Sequence, residues 1–91
     1  MKLEKMFDVI LSNQAEKFYD LANDKLKSQL NISIDIISEN PFYGNNIKKL
    51  KGSLGSLHRY RLGNYRIVYS IQEKVRIISI VWIGKRKDAY K

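Results

Sequence analysis

Arg59, Arg61 and Arg66 are the residues of this chain best suited to chemistry on an anion. Read as two antiparallel strands turning at Gly63-Asn64, the segment pairs Leu62 with Tyr65, Arg61 with Arg66 and Arg59 with Val68. Directly opposed residues share a face of a sheet, as do residues two apart on one strand. The spacing therefore predicts that the three guanidinium groups crowd one patch. Like charges set opposite each other destabilise a sheet, so a fold that keeps them is expected to bind an anion there. Phosphate is the obvious candidate, because the planar, permanently charged guanidinium holds it through two parallel hydrogen bonds. One outward arginine would read as ordinary surface; three in one hairpin favour a site.

Two further segments add cations. Ile47-Lys48-Lys49-Leu50-Lys51-Gly52 carries three lysines between two apolar anchors, and the chain closes on Gly84-Lys85-Arg86-Lys87-Asp88-Ala89-Tyr90-Lys91. Gly84 frees a turn after an apolar strand, which brings the basic tail back beside the sheet. Tyr90 can stack on a base or supply a phenolic proton, and equally can pin the terminus as a surface ring. Trp82 is expected to pack, since it lies in an apolar strand. His58, the only histidine, is the one side chain that ordinarily titrates near neutrality. By alternation it shares the face of Tyr60, away from the arginines, and reads as structural. No carboxylate pair, metal-ligand cluster, phosphate-binding glycine loop or Ser-His-Asp set can be assembled, and cysteine is absent. No metal or cofactor is therefore expected.

The elements that must position these residues follow from pattern. Phe7–Leu11 reads as a first strand. Ser12 or Asn13 then offers an N-cap, with Glu16 as a capping-box partner of Asn13. A helix to about Ala22 turns Phe18, Leu21 and Ala22 inward. Asn23-Asp24 breaks it and caps a second helix, whose stripe Leu26, Leu30, Ile34 and Ile37 runs to the stop at Asn40-Pro41. Ile32 and Ile36 lie off that stripe and widen it. Residues 41–56 read as irregular. Strands at Leu57–Leu62 and Tyr65–Ile71 form the hairpin, and Val75–Ile83, rich in β-branched residues, forms a last buried strand whose register the connection Gln72-Glu73-Lys74 leaves open. The fold class expected is α+β: an N-terminal strand, an antiparallel helix pair, then a three-stranded antiparallel meander, β-α-α-β-β-β, with the helices packed on one sheet face.

At 91 residues the chain is expected to form a single domain, 1–91. No apolar run approaches the roughly 20 residues of a membrane span, and nothing resembles a signal peptide, so a cytoplasmic location is the expectation. The net charge of +8 is unevenly spread: residues 1–46 hold five Lys/Arg against seven Asp/Glu, and residues 47–91 hold twelve against two. A basic half on a small domain is the footprint of a nucleic-acid or acidic-protein partner.

The run Asn40-Pro41 … Lys48-Lys49-Leu50-Lys51-Gly52 … Arg59-Tyr60-Arg61-Leu62-Gly63-Asn64-Tyr65-Arg66-Ile67-Val68-Tyr69 … Gly84-Lys85-Arg86-Lys87-Asp88-Ala89-Tyr90 resembles the RelE/ParE toxin superfamily. The paired Tyr-Arg-Ile-Val-Tyr strand and the closing Gly-basic-Arg … Tyr carry the resemblance; the helical half is generic. The RelE branch implies a ribosome-dependent endoribonuclease (an mRNA interferase) that cuts mRNA in the A site by attack of a ribose 2′-hydroxyl on the adjacent phosphate, in a type II toxin–antitoxin pair with a RelB-like antitoxin. By position, Arg59 and Arg61 match the basic residues that orient mRNA and assist proton removal. Arg66 matches the arginine that stabilises the transition-state phosphate, Arg86 the arginine beside the leaving group, and Tyr90 the tyrosine that stacks on the attacking nucleotide. Lys49, Lys51, Lys85 and Lys87 are expected to contact RNA around them.

One departure matters. Arg59 and Arg61 stand where well-known members carry lysines, and arginine in practice does not lose its proton. The general base is then open among Lys85, His58, a ribosomal group and no dedicated base. A ParE-like gyrase inhibitor on the same fold, and a non-catalytic RNA-binding module, are the competing readings.

Overall fold

The computed structural model describes residues 7–50 and 57–88. Its elements are β1 (Asp8–Leu11), α1 (Asn13–Leu21), α2 (Asp24–Glu39), β2 (Ile47–Lys49), β3 (Leu57–Leu62), β4 (Tyr65–Gln72), β5 (Ile77–Lys85) and a closing 3-10 turn, Arg86–Asp88. Short polar side chains start and stop the helices, as the sequence predicts. Ser12 Oγ accepts from the Ala15 N–H at 3.1 Å, and Asn23 Oδ1 from the Leu26 N–H at 2.8 Å. Each satisfies a donor that the helix itself leaves unpaired. At the end of α2, Asn40 Oδ1 accepts from the Phe42 N–H at 3.1 Å, and Pro41 prevents another turn.

Leu26, Leu30, Ile34 and Ile37 form the buried stripe of α2, with Leu30 and Ile37 fully enclosed. Leu21, expected inward, is instead 77% exposed. The inward stripe of this part of the chain runs through Ala15, Phe18, Tyr19 and Ala22, and Leu21 lies one residue, about 100°, off it. Ile32 and Ile36 also stay exposed, so only one face of α2 is covered. The Tyr19 hydroxyl donates to Asn31 Oδ1 at 2.9 Å and ties the two helices together.

The strands make one five-stranded sheet in the order β1-β5-β4-β3-β2. β1 runs parallel to β5 and the remaining pairs are antiparallel. β2 corrects the expectation that residues 41–56 are irregular: it adds a fourth strand to the meander, pairing Ile47 with Tyr60 and Lys48 with Arg59. Three residues are too few to show a period-2 pattern in sequence; what holds β2 is Ile47, which packs against the core opposite Tyr60. Its exposed lysines discourage further pairing along the sheet's open edge.

The last strand also starts two residues later than expected. Residues 73–76 form a turn in which the Arg76 N–H donates to the Glu73 carbonyl at 3.2 Å, with Arg76 at φ +57°. The Arg76 carbonyl then accepts from the Asp8 N–H at 2.9 Å, and its guanidinium lies 4.8 Å from the centre of the Phe7 ring. Val75 is left on the surface.

β5 carries one extra residue relative to β4: Tyr69 pairs with Ile80, but Val68 pairs with Trp82. Val81 is the unpaired residue of this bulge. A one-residue shift reverses which side chains face each way. Ile78, Ile80 and Ile83 therefore all reach the core with no exposed surface, although 80 and 83 differ by an odd number. β1 ends beside Ile80, and beyond it side chains take over the pairing. The Ser12 N–H donates to the Ile80 carbonyl at 2.8 Å, and Ser12 Oγ to the Val81 carbonyl at 3.0 Å. Gln14 Nε2 donates to the Ile83 carbonyl at 2.7 Å, while its Oε1 accepts from the Ile83 N–H at 2.9 Å. The carboxamide stands in for one further residue of the neighbouring strand.

Tyr69, fully buried at the centre of the sheet, donates its hydroxyl to the Pro41 carbonyl at 2.7 Å and so fixes the exit of α2. Burial pushes its phenol well above the ordinary value of 10.0, and the neighbouring Tyr60 adds to the rise. The fold thus favours the neutral phenol. This contribution is complete below pH about 10 and is lost as pH rises beyond it. Tyr69→Phe is expected to lose about 1–2 kcal/mol at pH 7, because the Pro41 carbonyl loses its donor, and to show a shallower decline between pH 9 and 11 than wild type. Urea unfolding at those pH values measures both; parallel declines would show that Tyr69 is not the group being titrated.

Candidate functional site

The register predicted for the hairpin is the one observed: Arg61 faces Arg66, Arg59 faces Val68 and Leu62 faces Tyr65, around a turn in which Gly63 supplies φ +57°. Extending the pairs across the sheet gives two transverse rows on the face away from the helices. One runs Lys48, Arg59, Val68, Trp82; the other runs Arg61, Arg66, Gly84. No aspartate or glutamate occurs in β2, β3, β4 or β5. The cations of this face therefore have no carboxylate neighbour within the strands that carry them.

The second row opens into a cleft of about 630 Å³ lined by Asn64, Tyr65, Arg66, Lys85, Arg86 and Lys87. Two contacts build it. The Arg86 N–H donates to the Asn64 carbonyl at 2.8 Å, one rung beyond the Tyr65–Lys85 pair, which carries the β4–β5 ladder on to the hairpin turn. Tyr65 meets Phe18 of α1 edge-to-face, with ring centres 5.8 Å apart, and holds the hairpin tip against the helical layer. Four cationic residues thus line one open concavity with Tyr65 and Asn64. Such a lining can take a doubly charged phosphate and stabilise further negative charge as it develops.

The expected residues separate into groups. Arg66, Arg86, Lys85 and Lys87 all line the cleft, although Lys85, paired with Tyr65, belongs by register to the helix-side face and borders it from that side. Arg61 is exposed beside them, paired with Arg66. Arg59 lies one row away, where its Nη1 donates to the Asn46 carbonyl at 3.1 Å; part of its hydrogen-bonding capacity holds the segment before β2. Lys49 pairs with His58 and therefore sits on the helix-side face, in a separate cleft of about 440 Å³ with Phe42, Tyr43, His58, Ile71 and Glu73. Alternation along β2 gives the arginine face to Lys48 instead. Lys51 and Tyr90 lie outside the described residues.

His58 is 8% exposed and stacked on Tyr69 with ring centres 5.7 Å apart. It lies four residues along β3 from the hairpin end that borders the cleft and lines the separate cleft with Lys49, which removes it from the groups that could take a proton at the arginines. Sequence reasoning missed Lys48, Asn64 and Tyr65. Lys48 gains its face only through the pairing of β2 with β3; the other two become visible only once the register of β5 on β4 sets Lys85 opposite Tyr65 and Arg86 beside Asn64.

Trp82 is the clearest departure from expectation. The bulge at Val81 turns it onto the arginine face, where it is partly exposed. A methyl group built on Gly84 would lie 2.4 Å from Trp82 Cζ2 and 2.5 Å from Cη2. The indole therefore lies along β5 over Gly84, the residue paired with Arg66.

Among the described residues, no group of three or more His, Asp or Glu side chains could hold a metal ion, and no helix is long and apolar enough to cross a membrane.

A family model described as the ParE toxin of the type II toxin–antitoxin system parDE matches residues 2–90. No curated protein matches the chain. Among solved structures, the chain is similar to one in the archaeal RelE–RelB complex from Pyrococcus horikoshii OT3, with 27% identity over 92% of this chain and 99% of that one, and a TM-score of 0.77. The isolated E. coli RelE toxin is similar at 20% identity, 92% and 88% coverage and a TM-score of 0.76. The YoeB/ParE toxin from Agrobacterium tumefaciens is similar at 15% identity, 88% and 99% coverage and a TM-score of 0.78. The last two are likenesses of fold.

Gly84→Ala tests the geometry of the face directly. The added methyl cannot coexist with the indole as placed, so the ring must swing into solvent. A red-shifted emission of the single tryptophan and a stability loss of about 1–3 kcal/mol are expected. Unchanged emission would show that the ring does not rest on Gly84.

Proposed function

We infer the chemistry of the cationic cleft from one premise: the chain belongs to the ParE toxin family of type II toxin–antitoxin systems, within the RelE/ParE superfamily. On that premise we propose a ribosome-dependent endoribonuclease that cleaves mRNA in the A site. The observation that carries the reading is the convergence of Arg66, Lys85, Arg86 and Lys87 in one cleft. In the reaction, the 2′-oxygen of one nucleotide attacks the adjacent phosphorus, its proton departs, and the 5′-oxygen of the next nucleotide leaves and gains a proton. The products are a 2′,3′-cyclic phosphate and a 5′-hydroxyl. Charge grows on the non-bridging oxygens as the bond forms, and groups aimed at that charge supply the largest share of such catalysis.

Arg66 and Arg86 are assigned to the phosphate, where two guanidinium groups stabilise the five-coordinate state more than the starting diester. Arg61 is assigned to orienting the 2′-hydroxyl. Arg59, engaged with Asn46, orders the strand edge and neutralises the RNA backbone. Tyr90 is assigned to stacking on the attacking nucleotide. None of the arginines serves as the base. Lys85 is the amine that lines the cleft next to Arg86, and a ribosomal group is the other source of that function. Positioning the reacting atoms in line supplies much of the remaining rate, which fits a requirement for the ribosome. A RelB-type antitoxin, bearing an acidic or amphipathic segment, is the proposed protein partner; the similar Pyrococcus horikoshii chain comes from a RelE–RelB complex.

The second reading, inhibition of DNA gyrase, is favoured by the ParE description of the matching family model. A translation reaction programmed with a defined mRNA, with 5′ ends mapped by primer extension, separates the two. Cuts at A-site codons that require ribosomes are expected, falling by about a hundredfold or more in Arg66→Ala and also lost in Tyr90→Ala. Naked mRNA is expected to stay intact. Uncut mRNA in every lane, with the protein shown to be folded, would overturn the nuclease reading and direct the test to gyrase supercoiling.

A further inference from the structure

The core of this protein does without its largest side chain. The buried cluster of Phe7, Leu30, Ile37, Ile67, Tyr69, Ile78, Ile80 and Ile83, with the partly buried residues packed on it, does not include Trp82. The bulge at Val81 delivers the indole to the opposite face, and the missing side chain at Gly84 gives it a place to lie along the strand. Its sheet neighbours there are Val68 on the paired strand and, through Gly84, Arg66. The strands of this face are cationic and lack any carboxylate. An aromatic surface that is partly open to solvent and set among arginines matches the two parts of a nucleotide, a flat base and an anionic phosphate.

We propose that Trp82 is a stacking platform for a nucleobase of single-stranded RNA, held beside the phosphate that Arg66 binds. The proposal rests on reading this face as RNA-contacting. It adds a contact that phosphate chemistry does not require. Cations alone would bind the backbone and leave the bases free to turn; a base lying on the indole fixes the rotation of its nucleotide about the backbone. Every base has a π-face, so the contact tolerates any sequence, as a surface receiving many different mRNAs must.

The chain has one tryptophan, so its emission reports this site alone. The test titrates the wild-type protein, at low salt, with a single-stranded hexaribonucleotide and with an abasic hexamer carrying the same phosphates. Binding is followed separately by the anisotropy of a dye-labelled strand. Quenching of the tryptophan by the base-bearing strand alone is expected, with about tenfold weaker binding of the abasic strand. Trp82→Phe is expected to bind close to wild type, and Trp82→Leu about tenfold or more weakly, with the same dependence on salt because the phosphate contacts are unchanged.

Equal binding of both strands with unaltered emission would overturn the platform while leaving the RNA-facing reading intact. Absence of binding by either strand would overturn both. Quenching by polyglutamate as strong as that by RNA would assign the indole to a protein partner and overturn the platform. The wild-type titration stands whether or not Trp82→Leu folds.

Discussion

Val81 has no partner in β4, and this single unpaired residue sets which side chains of β5 face the helices and which face solvent. Without it, strict alternation from Ile80 would send Trp82 into the core and Ile83 onto the arginine face. With it, Ile83 completes the buried cluster and Gly84 comes opposite Arg66. The bulge sits immediately past the point where β1 leaves the sheet. There the backbone of β5 loses its parallel neighbour, and buried carbonyl and amide groups left alone would each cost about 1–3 kcal/mol. Ser12 and Gln14 remove that cost with the Ser12 amide and hydroxyl and both ends of the Gln14 carboxamide. The same two residues begin α1, so the start of the first helix and the exit of the last strand are fixed by one set of hydrogen bonds.

That coupling explains how a small molecule keeps a cluster of like charges on its surface. Arg61 and Arg66 oppose each other across the hairpin, an arrangement that opposes strand pairing. The opposite face of the same hairpin compensates: Tyr60, Ile67 and Tyr69 are buried, and each large apolar side chain so enclosed contributes about 1.5–3 kcal/mol. Tyr65 against Phe18 holds the tip, and Arg86 to Asn64 holds the tail against the turn. The charged residues are thus supported from beneath and need no partners of opposite sign within the strands.

Much of this was legible in the sequence because short-range rules dominate where they apply. The helix limits follow from Ser12, Asn23 and Asn40, whose side chains bond to backbone within three residues. The hairpin register follows from its two-residue turn, and with it the shared face of Arg59, Arg61 and Arg66. What escaped depends on contacts distant in sequence. β2 exists because Ile47 finds Tyr60. The face of Trp82 depends on a bulge that no pattern in Ile77–Lys85 announces. The resemblance puts Lys49 among the RNA contacts, and the pairing of β2 gives the arginine face to Lys48. The cleft was legible in its residue types and not in its shape, since Tyr65 and Asn64 join it only through the register of β5 on β4.

The division of the fold into two layers is also a division of charge. The helices carry Glu16, Asp20, Asp24, Asp35 and Glu39 against Lys17, Lys25 and Lys27. The sheet face away from them carries Lys48, Arg59, Arg61 and Arg66, and β2 to β5 contain no acid. The molecule is in effect an electric dipole directed through the thickness of the sheet. Near a polyanion it experiences a torque as well as an attraction, and that torque turns the arginine face forward while the helical side is repelled. Orientation of this kind raises encounter rates by about ten- to a thousandfold and fades as salt shortens the range of the field. The layering that lets the helices close the core therefore also gives the molecule a preferred orientation toward a polyanion before contact.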